Sequence, residues 1–96
     1  DMNEPLARFE RGRTAVVKIR NETPWPHAMH VHGHHFRVVS RDGGAILDPV
    51  LRDTDLMMPD ETIEIAFVAD NPGKWLLHCH MLEHSASGMM TWFEVA

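Results

Sequence analysis

Only one cysteine occurs in the 96 residues. No intrachain disulfide is possible, and cysteine usage says little about redox compartment. Positive charge is also scarce: 9 Lys and Arg stand against 14 Asp and Glu, for a net charge of −5. No basic run is long enough to make a nucleic-acid footprint, so nucleic acid is not an expected partner. No apolar stretch approaches the roughly 20 residues of a membrane-spanning helix. There is no internal repeat, no low-complexity linker and no visible signal peptide. The chain opens on Asp1, not Met, which reads as a truncated start. What remains, at 96 residues and 44% hydrophobic, is one small domain over 1–96 with a single core.

Histidine, in contrast, is abundant, with 8 residues in two clusters. The first is the run from Pro26 to Phe36, which holds His27, His30, His32, His34 and His35. The second is His78-Cys79-His80, followed by His84 and then Met89. Thiolate, imidazole and thioether at these intervals are the ligand types of a blue copper site. If 73–80 is a β-strand, Cys79 points to one face while His78 and His80 point to the other. One strand then joins a thiolate-bound metal to an imidazole-bound metal, a short covalent path for electrons. His30 and His32 are two residues apart, so on a strand they also share a face. His27 follows Pro24 and Pro26, where a loop is expected, and could turn towards Cys79.

The rest of the chain reads as short strands. Residues 1–12 form a polar edge segment. Thr14 to Asn21 alternates, with Ala15, Val17 and Ile19 on one face and Lys18 and Arg20 on the other. Residues 30–40 read as one strand with Gly33 as a candidate bulge. Asp42-Gly43-Gly44 is a turn, and Pro49 to Asp60 reads as a loop. Thr62 to Val68 alternates with Ile63, Ile65 and Phe67 inward, and Asp70 to Gly73 is a turn. Lys74 to His80 is a strand with Trp75, Leu77 and Cys79 on one face. Residues 81–86 read as one helical turn closed by Gly88, and Met90 to Val95 as a last strand. Five or six such strands predict an all-β sandwich.

The composite pattern, His-x2-His-x-His-Gly-His-x-Phe followed by His-Cys-His-x3-His-x4-Met, closely resembles the C-terminal copper-binding domain of the multicopper oxidases, such as laccases and bacterial copper-efflux oxidases. The likeness covers nearly the whole chain, including Arg52-Asp53-Thr54 and the stretch from Glu61 to Gly73. It implies a Greek-key, cupredoxin-like sandwich, truncated at its N-terminus. It implies His27, Cys79 and His84 as equatorial ligands of a type 1 copper, with Met89 axial. His30 would bind the type 2 copper, and His32, His78 and His80 the type 3 pair. Glu83 sits where some bacterial members place a proton-relaying acid. The remaining ligands would come from N-terminal cupredoxin domains of the same or a neighbouring chain. The parent would oxidise small reducing substrates (phenols, aromatic amines or metal ions such as Cu(I)) and reduce dioxygen to water. Its location would be extracytoplasmic, in a bacterial periplasm or secreted. This chain alone should not complete the reaction. Ala28 stands where the family commonly has Pro, a change expected to alter loop stiffness.

Plainer readings stand beside these. A lone Cys is usually a buried hydrophobe, and four strand-face histidines could simply be solvated. Met90 rivals Met89 as the thioether, and Met57 and Met58 read as packing, with a soft cuprous contact as the alternative. His34 reads as a structural hydrogen bonder and His35 as surface. Glu83 could be a solvated acid, and Asp53 and Asp55 loop acids. Trp25, Trp75 and Trp92 read as core or interface, with substrate docking open. A stand-alone blue copper protein explains Cys79, His84 and Met89 but leaves four histidines unemployed. A nitrite reductase-like enzyme needs fewer histidines, and a metal buffer does not need the thioether.

Overall fold

The computed structural model describes residues 4–47, 50–81 and 90–96, with the side chains of His80 and Met81 excepted. The segment from 82 to 89, which carries the expected helical turn, lies outside the described residues. The described chain forms nine strands: β1 (Ala7–Phe9), β2 (Thr14–Arg20), β3 (His27–Val31), β4 (Arg37–Arg41), β5 (Gly44–Ala45), β6 (Thr54–Met57), β7 (Thr62–Val68), β8 (Gly73–Met81) and β9 (Met90–Val95). They make two sheets, one ordered β1-β9-β8-β3-β6 and the other β2-β7-β4-β5. None of the described residues is in a helix, so no helix there is long and apolar enough to cross a membrane.

Period-two alternation builds the sandwich. β7 turns Ile63, Ile65 and Phe67 inward, and β2 does the same with Ala15. These meet Met29, Val31, Leu77, Cys79, Phe93 and Val95 of the other sheet in one core. The Phe67 ring meets Phe9 of β1 edge-on at 5.8 Å and Phe93 of β9 at a tilt at 5.4 Å, joining the sheets through aromatic contacts. β1 is an edge strand, parallel to β9, as the polar N-terminal segment suggested. The Asp42-Gly43 turn has φ of 49° and 83°, the left-handed pair that a two-residue hairpin needs.

Several expectations are corrected. The strand expected over residues 30–40 is two strands in different sheets, broken at Gly33, where φ is +79°. His27 is not in a loop but opens β3, paired with Met57 and Met81. Pro26 sits just before the strand, so it removes no ladder hydrogen bond. Ala28 therefore lies within a ladder and keeps an N–H that proline lacks. The expected loop from Pro49 to Asp60 contains β6, and Met57 is fully buried there.

Asp55 is a further correction, because this expected loop acid is 3% exposed. Arg41 on β4 donates to both its oxygens, at 2.8 and 3.0 Å, and Arg52 donates at 3.1 Å. Arg41 also donates to Glu61 at 3.0 Å. Burial works against the Arg41 charge, but hydrogen bonds and attraction from Asp55 and then Glu61 outweigh it and raise its pKa. The network ties edge strand β6 to the opposite sheet. Loss of a charge-assisted hydrogen bond costs about 1.5–3 kcal/mol, and without Asp55 both arginines stay partly solvated, with Arg41 still bonded to Glu61. Asp55→Ala should lower the unfolding free energy by about 1.5–3 kcal/mol in chemical denaturation. A loss under about 1 kcal/mol, the range of exposed pairs, would show that the network is solvated.

Candidate metal centre

The site rests on two adjacent strands, β3 and β8. In β8, Leu77 and Cys79 are buried and His78 lies on the other face, as alternation requires. In β3, His27, Met29 and Val31 point inward, while Ala28 and His30 are half-buried on the outside. The strands are antiparallel, with Met29 opposite Cys79 and His30 opposite His78. His27 is thus the diagonal same-face neighbour of Cys79. Its Nδ1 lies 3.2 Å from Cys79 Sγ, and the two residues are only 6% and 5% exposed. The other ring nitrogen, His27 Nε2, is buried with no hydrogen-bond partner among the described residues. A cavity of about 110 Å³ opens here, lined by His27, Met29, Met57 and Cys79 together with residues 19–23.

The outer face carries the second group. His30 and His78 stand opposite each other with ring centroids 5.4 Å apart. His32 lies just past the end of β3, its Nε2 2.9 Å from Nε2 of His78. One nitrogen from each of His30, His32 and His78 fits within a 4.8 Å span. His30 Nδ1 is 2.8 Å from the Asp53 carbonyl oxygen. A carbonyl only accepts, so Nδ1 is the donor here and Nε2 is the nitrogen left for a metal. The β6 end thus fixes the His30 tautomer, a role for the Asp53 main chain that side-chain motifs do not reveal.

The donor sets fit copper. A buried thiol touching an imidazole suits a soft, redox-active ion, and three converging imidazoles suit copper or zinc. His84, Met89 and Glu83 lie outside the described residues, as does the side chain of His80. Met90 opens β9 directly across from His78, so it shares the histidine face and not that of Cys79. That removes it as the thioether partner of Cys79.

Comparison with known proteins agrees. The multicopper oxidase family model matches residues 1–96. The chain belongs to the multicopper oxidase family. Its all-β sandwich is cupredoxin-like, as the resemblance implied. The chain is 38% identical over 97 residues to the iron transport multicopper oxidase fio1 of Schizosaccharomyces pombe, a match covering 88% of this chain and 16% of that protein. It is 35% identical over 80 residues to the multicopper oxidase MmcO of Mycobacterium tuberculosis, covering 83% of this chain and 15% of that one. Among solved structures, Lac15 from a marine microbial metagenome superposes with a TM-score of 0.83 at 51% identity, over 98% of this chain and 24% of that chain. A multicopper oxidase from Pseudomonas Thermotolerans superposes with a TM-score of 0.83 at 39% identity, over 98% and 23%. The chain therefore spans a small part of each relative's length.

Within this multicopper oxidase domain, the bend after His32 has its own support. His34 is buried among Phe67, Phe93 and Trp75, with ring centroids 5.2, 5.5 and 5.9 Å away. The Asn71 N–H donates to His34 Nε2 at 3.3 Å, so that lone pair is occupied and His34 is structural. His35 is exposed, as expected. Gly33 lies against the Trp75 ring: a Cβ there would stand 2.5 Å from a ring carbon. The Trp75 indole is held by its N–H donating to the Asn71 carbonyl at 2.8 Å. Gly33→Ala adds this clash to an unfavourable φ and should destabilise the domain by about 2–4 kcal/mol. Thermal unfolding measures it, and an unchanged midpoint would mean the Trp75 ring moves freely.

Proposed function

We propose that this chain is the copper-binding domain of a larger multicopper oxidase, an oxidoreductase using dioxygen as acceptor. The carrying observation is the placement of two donor groups on opposite faces of one strand pair. His27 and Cys79 meet inside, and His30, His32 and His78 converge outside. Residues 78 and 79 are joined by a single peptide unit. In this reading His27, Cys79, His84 and Met89 hold the type 1 copper, His30 the type 2 copper, and His32, His78 and His80 the type 3 pair. Bound copper would supply one-electron oxidation of the substrate on the Cys79 side and four-electron reduction of dioxygen to water on the histidine side.

The chain's own residues have definable tasks. Cys79 and the peptide units flanking it give a covalent path to His78 and His80. Burial of Cys79 among Met29, Met57 and Leu77 keeps water from the thiolate. His30 is oriented by its Nδ1–H donating to the Asp53 carbonyl, which leaves Nε2 as the nitrogen available to a metal. Glu83 relays protons to the histidine side, through water. Completing the cluster requires imidazoles from another cupredoxin domain of the same or a neighbouring chain. Phenols, aromatic amines or metal ions such as Cu(I) are the proposed reductants. An extracytoplasmic location goes with this reading and rests on the family likeness alone. A stand-alone electron-transfer protein would leave the outer histidine trio without a task.

Two substitutions test the assignment in the copper-loaded, full-length protein. Cys79→Ser should abolish the intense blue thiolate-to-copper absorption while copper stays on the histidine face; a variant that remains blue would overturn the ligand set. Glu83→Gln should slow reoxidation by dioxygen more than reduction of the type 1 site, in stopped-flow measurements of each half-reaction. Equal rates for variant and parent would remove Glu83 from the mechanism.

A further inference from the structure

The loop that delivers His27 is organised by one buried carboxamide. Asn21 follows β2 and is 6% exposed. Its Nδ2 faces three carbonyl oxygens: Trp25 at 2.8 Å, Met58 at 3.1 Å and Met57 at 3.3 Å. Its Oδ1 accepts from the Thr23 N–H at 3.1 Å and the Thr23 hydroxyl at 2.7 Å. Carbonyls only accept and a backbone N–H only donates, so the orientation of the amide is determined. Its main chain is held as well, with Asn21 N–H donating to Glu61 and its carbonyl accepting from Asp60, both at 2.9 Å.

These contacts converge on His27 from two directions. Trp25 lies two residues before His27 in the chain. Met57 lies opposite His27 in the β3–β6 ladder. One side chain thus holds both the segment that leads into the histidine and its cross-strand neighbour. Asn21 also lines the same cavity as His27 and Cys79. The His27 ring meets Cys79 Sγ through Nδ1, and its Nε2 has no partner among the described residues. The backbone on either side of His27 is what the Asn21 contacts hold.

We infer that Asn21 is a positioning residue for the type 1 centre, setting how His27 Nδ1 approaches Cys79 Sγ. This rests on the type 1 reading of His27 and Cys79. Asn21→Asp keeps the shape and the acceptor but removes both N–H donors. It also sets a carboxylate oxygen against the three carbonyls. Partners that orient metal ligands typically change affinity by about 10–100-fold when lost.

The test uses the full-length, copper-loaded protein and reads the thiolate-to-copper band, the type 1 hyperfine coupling and type 1 copper affinity. Asn21→Asp should move the band and the coupling and weaken type 1 affinity about 10–100-fold, leaving copper on the histidine face. Val38→Ala, a core truncation on β4, controls for general destabilisation and should leave the band and coupling at parent values. If Asn21→Asp does not fold, Thr23→Val takes its place. It removes the hydroxyl at Asn21 Oδ1 and should shift the spectrum the same way, with Thr23→Ser restoring it. A parent spectrum in Asn21→Asp, or in Thr23→Val when that variant stands in, would overturn the inference. So would an equal shift in Val38→Ala. A parent protein with no blue band would overturn the type 1 reading itself, and the inference with it.

Discussion

The register of β3 against β8 governs both candidate donor groups of this domain. With Met29 opposite Cys79 and His30 opposite His78, alternation sends His27 and Cys79 to the core and the histidine trio outward. A slip of one residue would exchange the faces and dismantle both groups at once. The register is held by the apolar inward set of Met29, Val31 and Leu77, which must stay out of water. It is reinforced past the strand end, where His32 N–H donates to the Leu76 carbonyl at 2.9 Å and Val31 N–H to the Asp53 carbonyl at 3.1 Å. Hydrophobic burial thus sets the positions of the two donor groups, and the main chain of His32, itself in one of them, adds to the hold.

Where one face is buried and one is not, the sequence was readable. Thr62 to Val68 and Thr14 to Arg20 alternate cleanly, and both strands form as expected. The opposition of Cys79 to His78 followed from the same rule. β6 was not readable, because its alternation is inverted: Asp55 faces in and Leu56 faces out. An inward acid looks like a loop residue until its arginine partners, 14 and 3 residues away, are known. Pro24 and Pro26 hid the start of β3, since proline signals a break without saying how soon a strand resumes. Asn21 carried no local signal, for its side-chain partners lie up to 37 residues away. The Asp53 carbonyl that orients His30 is a main-chain group and has no residue type to read.

Both of the unforeseen polar residues, Asp55 and Asn21, attach β6 to the remainder of the fold. β6 is an edge strand with only β3 beside it. Its apolar contribution to the core is essentially Met57. Hydrophobic burial alone gives such a strand little to fix its position. Directional bonds from Arg41 and Arg52 at one end and from Asn21 at the other supply the missing constraint. That constraint reaches the candidate donor residues directly, because Met57 pairs with His27, and Asp53 and Thr54 contact His30.

The two sides meet opposite physical demands, and the fold treats them differently. The inner pair is buried, and His27 Nε2 has no partner among the described residues. The Asn21 contacts and the β3 ladders hold the backbone on both sides of His27. Rigidity there would suit the one-electron exchange proposed for this side, which is fastest when ligands barely move. The outer histidines are only half-buried, and each has a polar neighbour. They need less support, and in the proposed reading this partly exposed face is where another domain would add its imidazoles. A single strand can serve both demands because its neighbouring side chains experience separate environments while remaining one peptide unit apart.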